Sequence, residues 1–154
     1  MKESMERTMY LIGEDGVELL GRKHVALFGV GGVGGYVAEA LGRAGIGAIT
    51  LVDKDTVSVS NINRQIIATY DTVGQKKTEA MAARLHSINP DMRIVRRDCF
   101  FLPDTAEEFD FSEYDYVVDA VDTVTAKLEL VKCAGEAGVP ILSCMGTGNK
   151  LDPS

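Results

Sequence analysis

Four glycines are the residues best suited by type and spacing to bind a ligand: Gly29, Gly31, Gly32 and Gly34. They follow an apolar run and precede a helical pattern, which is the context in which G-x-G-x-x-G binds phosphate. The first allows a tight turn, the next lets phosphate approach the backbone, and the last lets helix and strand pack closely. Asp53 follows the next apolar run, where a carboxylate accepts hydrogen bonds from ribose hydroxyls. The pattern predicts a nucleotide site without distinguishing NAD, FAD, S-adenosylmethionine and ATP.

Polar and cationic side chains are concentrated in the segment after Asp53. It contains Asp55, Asn61 and Arg64, and Lys77 lies in the first turn of the next helical pattern. A redox dinucleotide has little use for so many charged groups, whereas attack on the α-phosphate of a triphosphate builds negative charge that fixed cations stabilise. Arg64 offers a planar fork of donors and Lys77 a mobile point charge. A surface ion pair for Arg64 and a solvated helix position for Lys77 are the alternatives that residue type leaves open.

The elements that must position these residues read as alternating strands and helices. Apolar runs bounded by turn residues predict five strands. These are His24–Val30, Ala48–Val52, Met92–Arg96, Asp115–Ala120 and Val139–Ser143. Periodic patterns predict an N-terminal helical segment over residues 1–22, divided by Gly13 and Gly16, and three later helices. The later helices are Val33–Ala44, Gln75–Ile88 and Thr123–Ala137. The alternation predicts an α/β fold, a Rossmann-like doubly wound and mostly parallel sheet.

Composition limits the class of protein. The 154 residues are 45% apolar and 25% charged, as in an ordinary globular domain. The net charge of −7 argues against a surface that binds nucleic acid over its whole extent. No apolar run reaches the ~20 residues of a membrane span, so we expect no membrane association. The three cysteines form no CxxC pair, and we expect neither disulfides nor zinc, and a cytoplasmic location.

Several spaced motifs, in order, resemble the adenylating domain of the ubiquitin-activating-enzyme (E1-like) superfamily. They are GxGGxG, LVDKDxVxxSNxxRQ, VGQxK and VVDAxD, and the resemblance covers roughly residues 5–150. It implies a single ATP-binding domain over residues 1–154, with the glycines facing the phosphates of ATP. It also implies that polar residues beside the glycines contact the nucleotide, namely Asp53, Asp55, Asn61, Arg64 and Lys77. In that arrangement Asp53 holds the ribose, and Arg64 and Lys77 support adenylyl transfer.

The same resemblance implies a metal site and a dimer. Asp122, which ends Val118-Asp-Ala-Val-Asp122, would bind Mg²⁺, since one carboxylate can hold this ion together with waters and phosphates. Asp119 is the alternative ligand, although alternation along the strand places it differently. Members of the superfamily are dimers in which an N-terminal arginine reaches the neighbouring site. Arg7 matches that position, which implies a homodimer.

The two ends of the chain resemble a narrower group, the tRNA threonylcarbamoyladenosine dehydratases. Residues 7–13 (RTMYLIG) and 145–153 (MGTGNKLDP) carry this resemblance. Those enzymes use ATP to cyclise threonylcarbamoyladenosine, the modified adenosine beside the anticodon, and release AMP. The implied substrate is therefore a modified tRNA. The segment after Ser143 is loop-like, so we expect the chain to be the N-terminal part of a longer protein on which activity depends.

Three alternatives remain open. The first is the same chemistry on another substrate, the C-terminal glycine of a ubiquitin-like sulfur-carrier protein. The second is an NAD-dependent oxidoreductase that shares only the glycine loop. The third is a nucleotide-binding module that dimerises without turning over. The lack of a CxxC pair favours modified tRNA over the carrier, because carrier-activating relatives often have such pairs.

Overall fold

The computed structural model describes residues 3–146 and shows an α/β fold. Its strands are β1 (His24–Phe28), β2 (Ala48–Val52), β3 (Arg93–Arg97), β4 (Tyr116–Asp119) and β5 (Ile141–Ser143). Its α-helices are α1 (Glu6–Leu20), α2 (Gly34–Ala44), α3 (Lys77–Ile88) and α4 (Val124–Ala137). Most of the C-terminal motif, residues 147–153, lies outside the described residues, and so does Ser154, which ends the predicted loop-like segment.

The strands form one parallel sheet in the order β3-β2-β1-β4-β5. The central strand β1 pairs with β2 on one side and with β4 on the other, so that Phe28 lies opposite both Val52 and Asp119. The chain adds strands outward from β1 on one side and then returns to begin the other side at β4. The predicted doubly wound α/β fold is therefore confirmed. In such sheets ligands bind at the carboxyl ends of the strands where the order reverses, here between β1 and β4.

Helices cover both faces of the sheet, and β1 contributes to both cores. All five of its residues are buried, as its continuous apolar run predicts. Val25 and Leu27 pack in the core that includes residues of α2 and α3. Ala26 and Phe28 pack on the opposite face, in the core that includes residues of α4. This alternation follows from the two-residue repeat of a strand.

The connection between β3 and β4 supports the carboxyl end of β1. It contains two 3₁₀-helices, Pro103–Glu108 and Phe111–Glu113, which the sequence pattern does not predict. They bring Phe109 and Phe111 against Phe28, with ring centroids 5.5 and 5.9 Å away. These rings give the end of β1 a packed apolar base.

The N-terminal segment, α1, consists of two helical parts that meet at a kink. Gly13 has non-helical angles there, with a φ of 76° and a ψ of 172°, so the predicted division at Gly13 is confirmed. Gly16 remains helical, so the predicted division at Gly16 is wrong. No residue of α1 is buried, and Tyr10 and Leu11 are 73% and 87% exposed. Among residues 3–146, no helix combines the length and the apolar character that crossing a membrane requires.

Candidate functional site

A cavity of about 720 Å³ opens at the carboxyl ends of β1, β2 and β4, where the strand order reverses. This volume is typical of small-molecule sites. Most of the residues that the sequence assigns to a nucleotide line it: Gly29, Gly31, Gly32, Asp53, Asp55, Asn61, Arg64, Lys77 and Asp122. The fold therefore brings three separate segments of the chain to one place.

Gly29 turns the chain out of β1 in a conformation that favours glycine, with a φ of 90°. Its N–H donates to the carbonyl oxygen of Val52 at 2.8 Å, which ties the turn to the end of β2. A Cβ at this position would lie 2.5 Å from the carbonyl oxygen of Ala120. The missing side chain thus allows the loop after β1 and the segment after β4 to touch.

The other glycines of the motif divide into two roles. Gly34 does not line the cavity, and a Cβ there would lie 1.8 Å from the carbonyl oxygen of Gly29, so it allows close packing. Among the described residues, the nearest atom to a Cβ on Gly31 would be Nε2 of Gln65 at 3.8 Å, and the nearest to a Cβ on Gly32 would be Cγ of Arg64 at 3.7 Å, so these two glycines keep cavity space open. The N–H of Gly35 donates to the carbonyl oxygen of Gly31 at 2.9 Å. The backbone N–H groups of the residues before Gly35 come ahead of the first hydrogen bond of the helix. This is the part of a helix that binds anions.

Asp53 links the end of β2 to the glycine loop. Its Oδ2 accepts from the N–H of Val30 at 2.8 Å, and its Oδ1 accepts from the N–H of Asp55 at 2.8 Å. Each carboxylate oxygen can accept more than one hydrogen bond, so acceptor capacity remains for a ligand. Asp53 therefore shapes the loop and also presents a carboxylate to the cavity.

Lys77 is a buried cation of the site. Its side chain is 8% exposed, and its Nζ lies 2.9 Å from Oδ2 of Asp55. The backbone N–H of Lys77, at the start of α3, donates to the carbonyl oxygen of Asp55 at 3.0 Å. This burial excludes the solvated helix position considered above. Asp55 is half exposed and compensates the charge of the lysine, because a buried ammonium is costly without a partner.

Arg64 and Asn61 approach the cavity from the segment between β2 and α3. The Nη1 atom of Arg64 donates to the carbonyl oxygen of Ser60 at 3.0 Å and to Oδ1 of Asn63 at 2.9 Å. Both acceptors are neutral, so these contacts leave the guanidinium charge available to an anion. Asn61 is buried and accepts at Oδ1 from the N–H of Ser58 at 3.0 Å, which leaves its Nδ2 as a donor.

Two aspartates near the end of β4 have different environments. Asp122 is exposed and lines the cavity, just beyond the strand. Asp119, the last residue of β4, is fully buried and is not among the lining residues. It accepts hydrogen bonds from Lys127 and Ser143. Burial and these contacts favour Asp122 over Asp119 as the metal ligand.

The donor set at Asp122 fits an ion that arrives with a nucleotide. Mg²⁺ commonly binds through one or two carboxylates, several waters and substrate phosphates. Within residues 3–146, no group of three or more His, Cys, Asp or Glu side chains is arranged to hold a metal by itself. A single exposed carboxylate beside a phosphate-sized opening is thus compatible with Mg²⁺ bound mainly by a triphosphate.

Gln65 is a cavity residue that the sequence interpretation missed. It is 7% exposed, and its Oε1 finds no hydrogen-bond partner in the described part of the chain. Its Nε2 lies 3.8 Å from where a Cβ on Gly31 would be. An unpaired buried carbonyl is costly, and a donor on a ligand would satisfy it. The only sign of Gln65 in the sequence is that it follows Arg64 directly. The sequence motif assigned the arginine to the site and not the glutamine.

The segment after β3 forms an apolar wall that the sequence interpretation also missed. It includes Phe100, Phe101 and Leu102, and the Nζ atom of Lys54 lies 3.6 Å from the centroid of the Phe100 ring. The aromatic pair Phe100-Phe101 could have predicted this wall. It follows a parallel strand, and residues that follow such strands lie at the edge of the sheet where ligands bind. Cys99 belongs to the same wall. Burial raises the pKa of its thiol, which disfavours the reactive thiolate form.

Arg7 lies away from the lining of the cavity, exposed on α1. One copy of the chain does not bring this arginine to its own site. Its contribution to a neighbouring copy stays a prediction.

The arrangement is suited to a nucleoside polyphosphate. One side offers an open glycine loop at a helix start, a second side offers Arg64 and Lys77, and a third is apolar and aromatic. Fixed cations and backbone N–H groups stabilise negative charge that develops on phosphoryl oxygens. The geometry thus supports binding a triphosphate and transferring part of it.

Comparison with known proteins gives one family. The sequence model of the ThiF family matches residues 4–151. The tRNA threonylcarbamoyladenosine dehydratase of Bacillus subtilis (strain 168) is 44% identical over 154 residues, which is 100% of this chain and 61% of that protein. The crystal structure of the Escherichia coli tRNA N6-threonylcarbamoyladenosine dehydratase in complex with ATP is similar with a TM-score of 0.93 and 42% identity. The match covers 98% of this chain and 62% of that one.

A third relative acts on a different class of substrate. The molybdopterin-synthase adenylyltransferase of Escherichia coli (strain K12) is 37% identical over 129 residues, covering 84% of this chain and 51% of that protein. The chain thus spans about three fifths of the length of the two dehydratases and about half of the adenylyltransferase.

Proposed function

The chain belongs to the ThiF family, and from that membership we propose that it supplies the ATP-binding, adenylating part of a tRNA threonylcarbamoyladenosine dehydratase. The reaction is the ATP-dependent cyclising dehydration of N6-threonylcarbamoyladenosine in tRNA. One observation carries the proposal: the glycine loop faces a cationic cluster in one cavity, in a fold with a TM-score of 0.93 to a dehydratase in complex with ATP. Residues 1–154 act as one E1-like domain, with residues 1–22 as its helical segment, in a protein of the relatives' full length.

The triphosphate of ATP lies over the glycine loop in this proposal. Gly31 and Gly32 leave the necessary space, and the N–H groups and dipole at the start of α2 favour an anion. Asp53 accepts hydrogen bonds from the ribose hydroxyls. The adenine packs on the aromatic wall that contains Phe100, because aromatic rings bind flat heterocycles well.

The first chemical step forms an acyl adenylate. An oxygen of the substrate carboxylate bonds to the α-phosphorus, the bond from that phosphorus to the bridging oxygen breaks, and pyrophosphate leaves. Negative charge grows on the phosphoryl oxygens and on the leaving group. Arg64 and Lys77 stabilise it, and Asn61 donates to a phosphate oxygen through Nδ2.

The second step closes the ring. A nucleophilic group of the same modified side chain attacks the activated carbonyl carbon, and AMP leaves with the oxygen that came from the carboxylate. The net result is the loss of one water from the substrate. The adenylate therefore needs no protein nucleophile, in agreement with the raised pKa of Cys99.

Asp122 is the proposed contact to Mg²⁺. The ion, when bound, neutralises charge on the phosphates of the nucleotide. Asp122 offers its carboxylate at the carboxyl end of β4, beside the glycine loop. Its exposure fits a ligand that binds an ion already carrying waters and phosphates.

The proposed protein is a homodimer in which Arg7 reaches the site of the partner copy. The helix that carries it, α1, has 15 residues, and none of them is buried within one chain. Such a helix is stabilised chiefly by packing its apolar face, and Tyr10 and Leu11 are largely exposed. A second copy is the proposed cover for this surface.

The cytoplasm is the proposed location. Cys99, Cys133 and Cys144 are all free thiols within the described residues. Free thiols are usual where the surroundings are reducing.

Adenylation of the C-terminal glycine of a ubiquitin-like sulfur carrier is the second candidate function. The 37% identity to the molybdopterin-synthase adenylyltransferase favours it, and the same site would perform the chemistry. The 44% and 42% identities to dehydratases support modified tRNA as the first candidate substrate. Membership of the family sets aside the oxidoreductase alternative.

AMP release by a protein of the relatives' full length tests the proposal. The substrates are tRNA bearing threonylcarbamoyladenosine, the same tRNA without the modification, and a ubiquitin-like carrier with a C-terminal glycine. We expect AMP only with the modified tRNA. AMP release with the carrier alone would move the function to the second candidate, and release with none of the three would leave a nucleotide-binding module.

A further inference from the structure

Asp119 is a fully buried carboxylate that the proposed chemistry does not use. Both of its oxygens lie 3.1 Å from Nζ of Lys127, on α4. Its Oδ2 also accepts from the hydroxyl of Ser143, at the end of β5, at 2.7 Å. Its Oδ1 accepts from the N–H of Val121 at 3.1 Å. One side chain thus connects β5, α4 and the loop that leads from β4 to Asp122.

The loop that carries Asp122 is held from two directions. The N–H of Ala120 donates to the carbonyl oxygen of Phe28 at 2.8 Å, so the first residue after β4 continues the pairing with β1. The next N–H, that of Val121, donates to the Asp119 carboxylate. Gly29 packs against the same backbone, since a Cβ on it would lie 3.2 Å from the nitrogen of Val121. Asp122 is the next residue in the chain, so these contacts also fix the position of its backbone.

Asp119 also fixes what lies on the other side of Asp122. Its carbonyl oxygen accepts from the N–H of Cys144 at 2.7 Å, at the start of the segment after β5. That segment reaches Gly146, where a Cβ would lie 3.9 Å from Oδ1 of Asp122. Asp119 therefore sets both the backbone beneath Asp122 and the segment beside it.

We infer that Asp119 is a positioning residue that fixes Asp122 for Mg²⁺–ATP through its hydrogen bonds to Val121 and Ser143. Lys127 compensates its charge, so a buried carboxylate can persist here. The inference rests on the proposed binding of Mg²⁺–ATP at Asp122. Groups that orient a metal ligand typically change metal affinity roughly 10–100-fold when they are altered.

The test compares ATP affinity in Mg²⁺ with ATP affinity in EDTA, by calorimetry on this chain. We call the ratio of the two the Mg²⁺ effect. We expect Asp119→Asn to reduce the Mg²⁺ effect roughly tenfold or more while affinity in EDTA stays about the same. Asp115→Asn is the matched control, because Asp115 also pairs with a lysine, Lys23 at 2.7 Å, but at the opposite end of β4. It should leave the Mg²⁺ effect unchanged.

A double-variant cycle separates positioning from general damage. If Asp119 acts through Asp122, then Asp119→Asn reduces the Mg²⁺ effect no further in a chain that already carries Asp122→Asn. A merely structural role would lower the affinity in EDTA as well, and in both backgrounds. The pair Asp119→Asn with Lys127→Met avoids an uncompensated buried ammonium and covers the case in which the single variant does not fold.

The outcomes distinguish the inference from the function on which it rests. A folded Asp119 variant, single or double, that keeps the full Mg²⁺ effect overturns the inference and leaves the proposed function intact. An unmutated chain that binds ATP equally with and without Mg²⁺ overturns the inference and the metal role of Asp122 together. A chain that binds no ATP at all overturns the proposed function and the inference with it.

Discussion

The ammonium of Lys77 lies 2.9 Å from the carboxylate of Asp55, and the pair is buried on the lysine side and open on the aspartate side. The lysine is therefore already oriented towards the edge of the cavity before a ligand binds. A preorganised cation of this kind stabilises charge that develops during reaction without having to reorient.

Loss of either cation should cost rate more than nucleotide affinity. Lys77→Ala and Arg64→Ala remove charges that are proposed to act on the transition state, so AMP release should fall roughly 10²–10³-fold while ATP affinity falls only modestly. AMP release and calorimetry on the full-length protein measure the two effects. Lys76→Ala is the control, because it removes a neighbouring lysine to which no role in the reaction is assigned. The Nζ of Lys76 donates to the backbone carbonyl oxygen of Lys54 at 3.1 Å. Near-normal AMP release by both variants would remove the proposed catalytic role from Arg64 and Lys77.

The cationic side of the cavity predicts a preference for ATP over NAD. ATP with Mg²⁺ should raise the Tm of this chain, by an amount that corresponds to about 2.7 kcal/mol at 100 times the Kd. NAD at the same concentration should not, because it offers no triphosphate to Arg64 and Lys77 together, whereas each single variant above keeps one of the two cations. Thermal unfolding with each ligand makes the comparison. Tighter binding of NAD would refute the adenylation mechanism.

Two glycines of the same motif should respond differently to a methyl group. Gly34→Ala places a Cβ 1.8 Å from the carbonyl oxygen of Gly29, so the free energy of unfolding should fall by at least about 1–3 kcal/mol. Gly31→Ala meets only the side chain of Gln65, at 3.8 Å, so stability should hold while ATP affinity drops. Urea unfolding and ATP titration separate the two effects. Equal loss of stability in both variants would contradict the division of roles.

His24 should make the folded chain less stable as the pH falls. Burial lowers its pKa below the ordinary 6.5, and the nearby Arg93 adds to the effect, against the opposing influences of Glu113 and Asp115. The ring also packs edge-on against Tyr114. The unfolded chain binds the proton near pH 6.5 and the folded chain only at lower pH. The free energy of unfolding therefore declines as the pH falls through and below about 6.5.

Urea unfolding at pH 7.5 and pH 5.5 tests this dependence. His24→Gln should flatten the difference between the two pH values, whereas His86→Gln, at an exposed site on α3, should preserve it. Asp110 and Asp115 have lowered pKa values, so their contributions are lost only below about pH 4. If the free energy of unfolding of the His24 variant still differs between the two pH values as much as in the unmutated chain, another group causes the pH dependence.

The sequence predicts the frame of the site because its signals are local. The continuous apolar run of β1 and the observed bounds of β2, Ala48–Val52, follow from residue type over a few positions. The turn at Gly29 follows from a motif whose neighbours are a strand and a helix. Parallel strands then bring the segments after β1, β2 and β4 to one edge without further information.

The remainder of the site depends on contacts that no local pattern contains. Asp119 meets Ser143 across 24 residues only because β4 and β5 pair in a particular register. The aromatic base under β1 comes from 3₁₀-helices that have no strong periodicity. Gln65 is distinguished from other polar loop residues by its burial and by an Oε1 atom that has no hydrogen-bond partner among residues 3–146, and no local pattern predicts either property. The role proposed for Arg7 involves a second copy of the chain, which no pattern within one chain can describe.

The place of β1 at the centre of the sheet fixes the order in which the protein can acquire its site during synthesis. The N–H of His24 binds the carboxylate of Asp115 across 91 residues, and β4 pairs directly with β1. The β1–α2–β2 half can form early, because its contacts join residues that are close in sequence. One wall of the cavity cannot form until β4 has left the ribosome. Until then the nascent chain exposes one edge of its central, fully buried strand, β1. The nucleotide site is thus a late product of folding, and its appearance reports that the two halves of the sheet have joined.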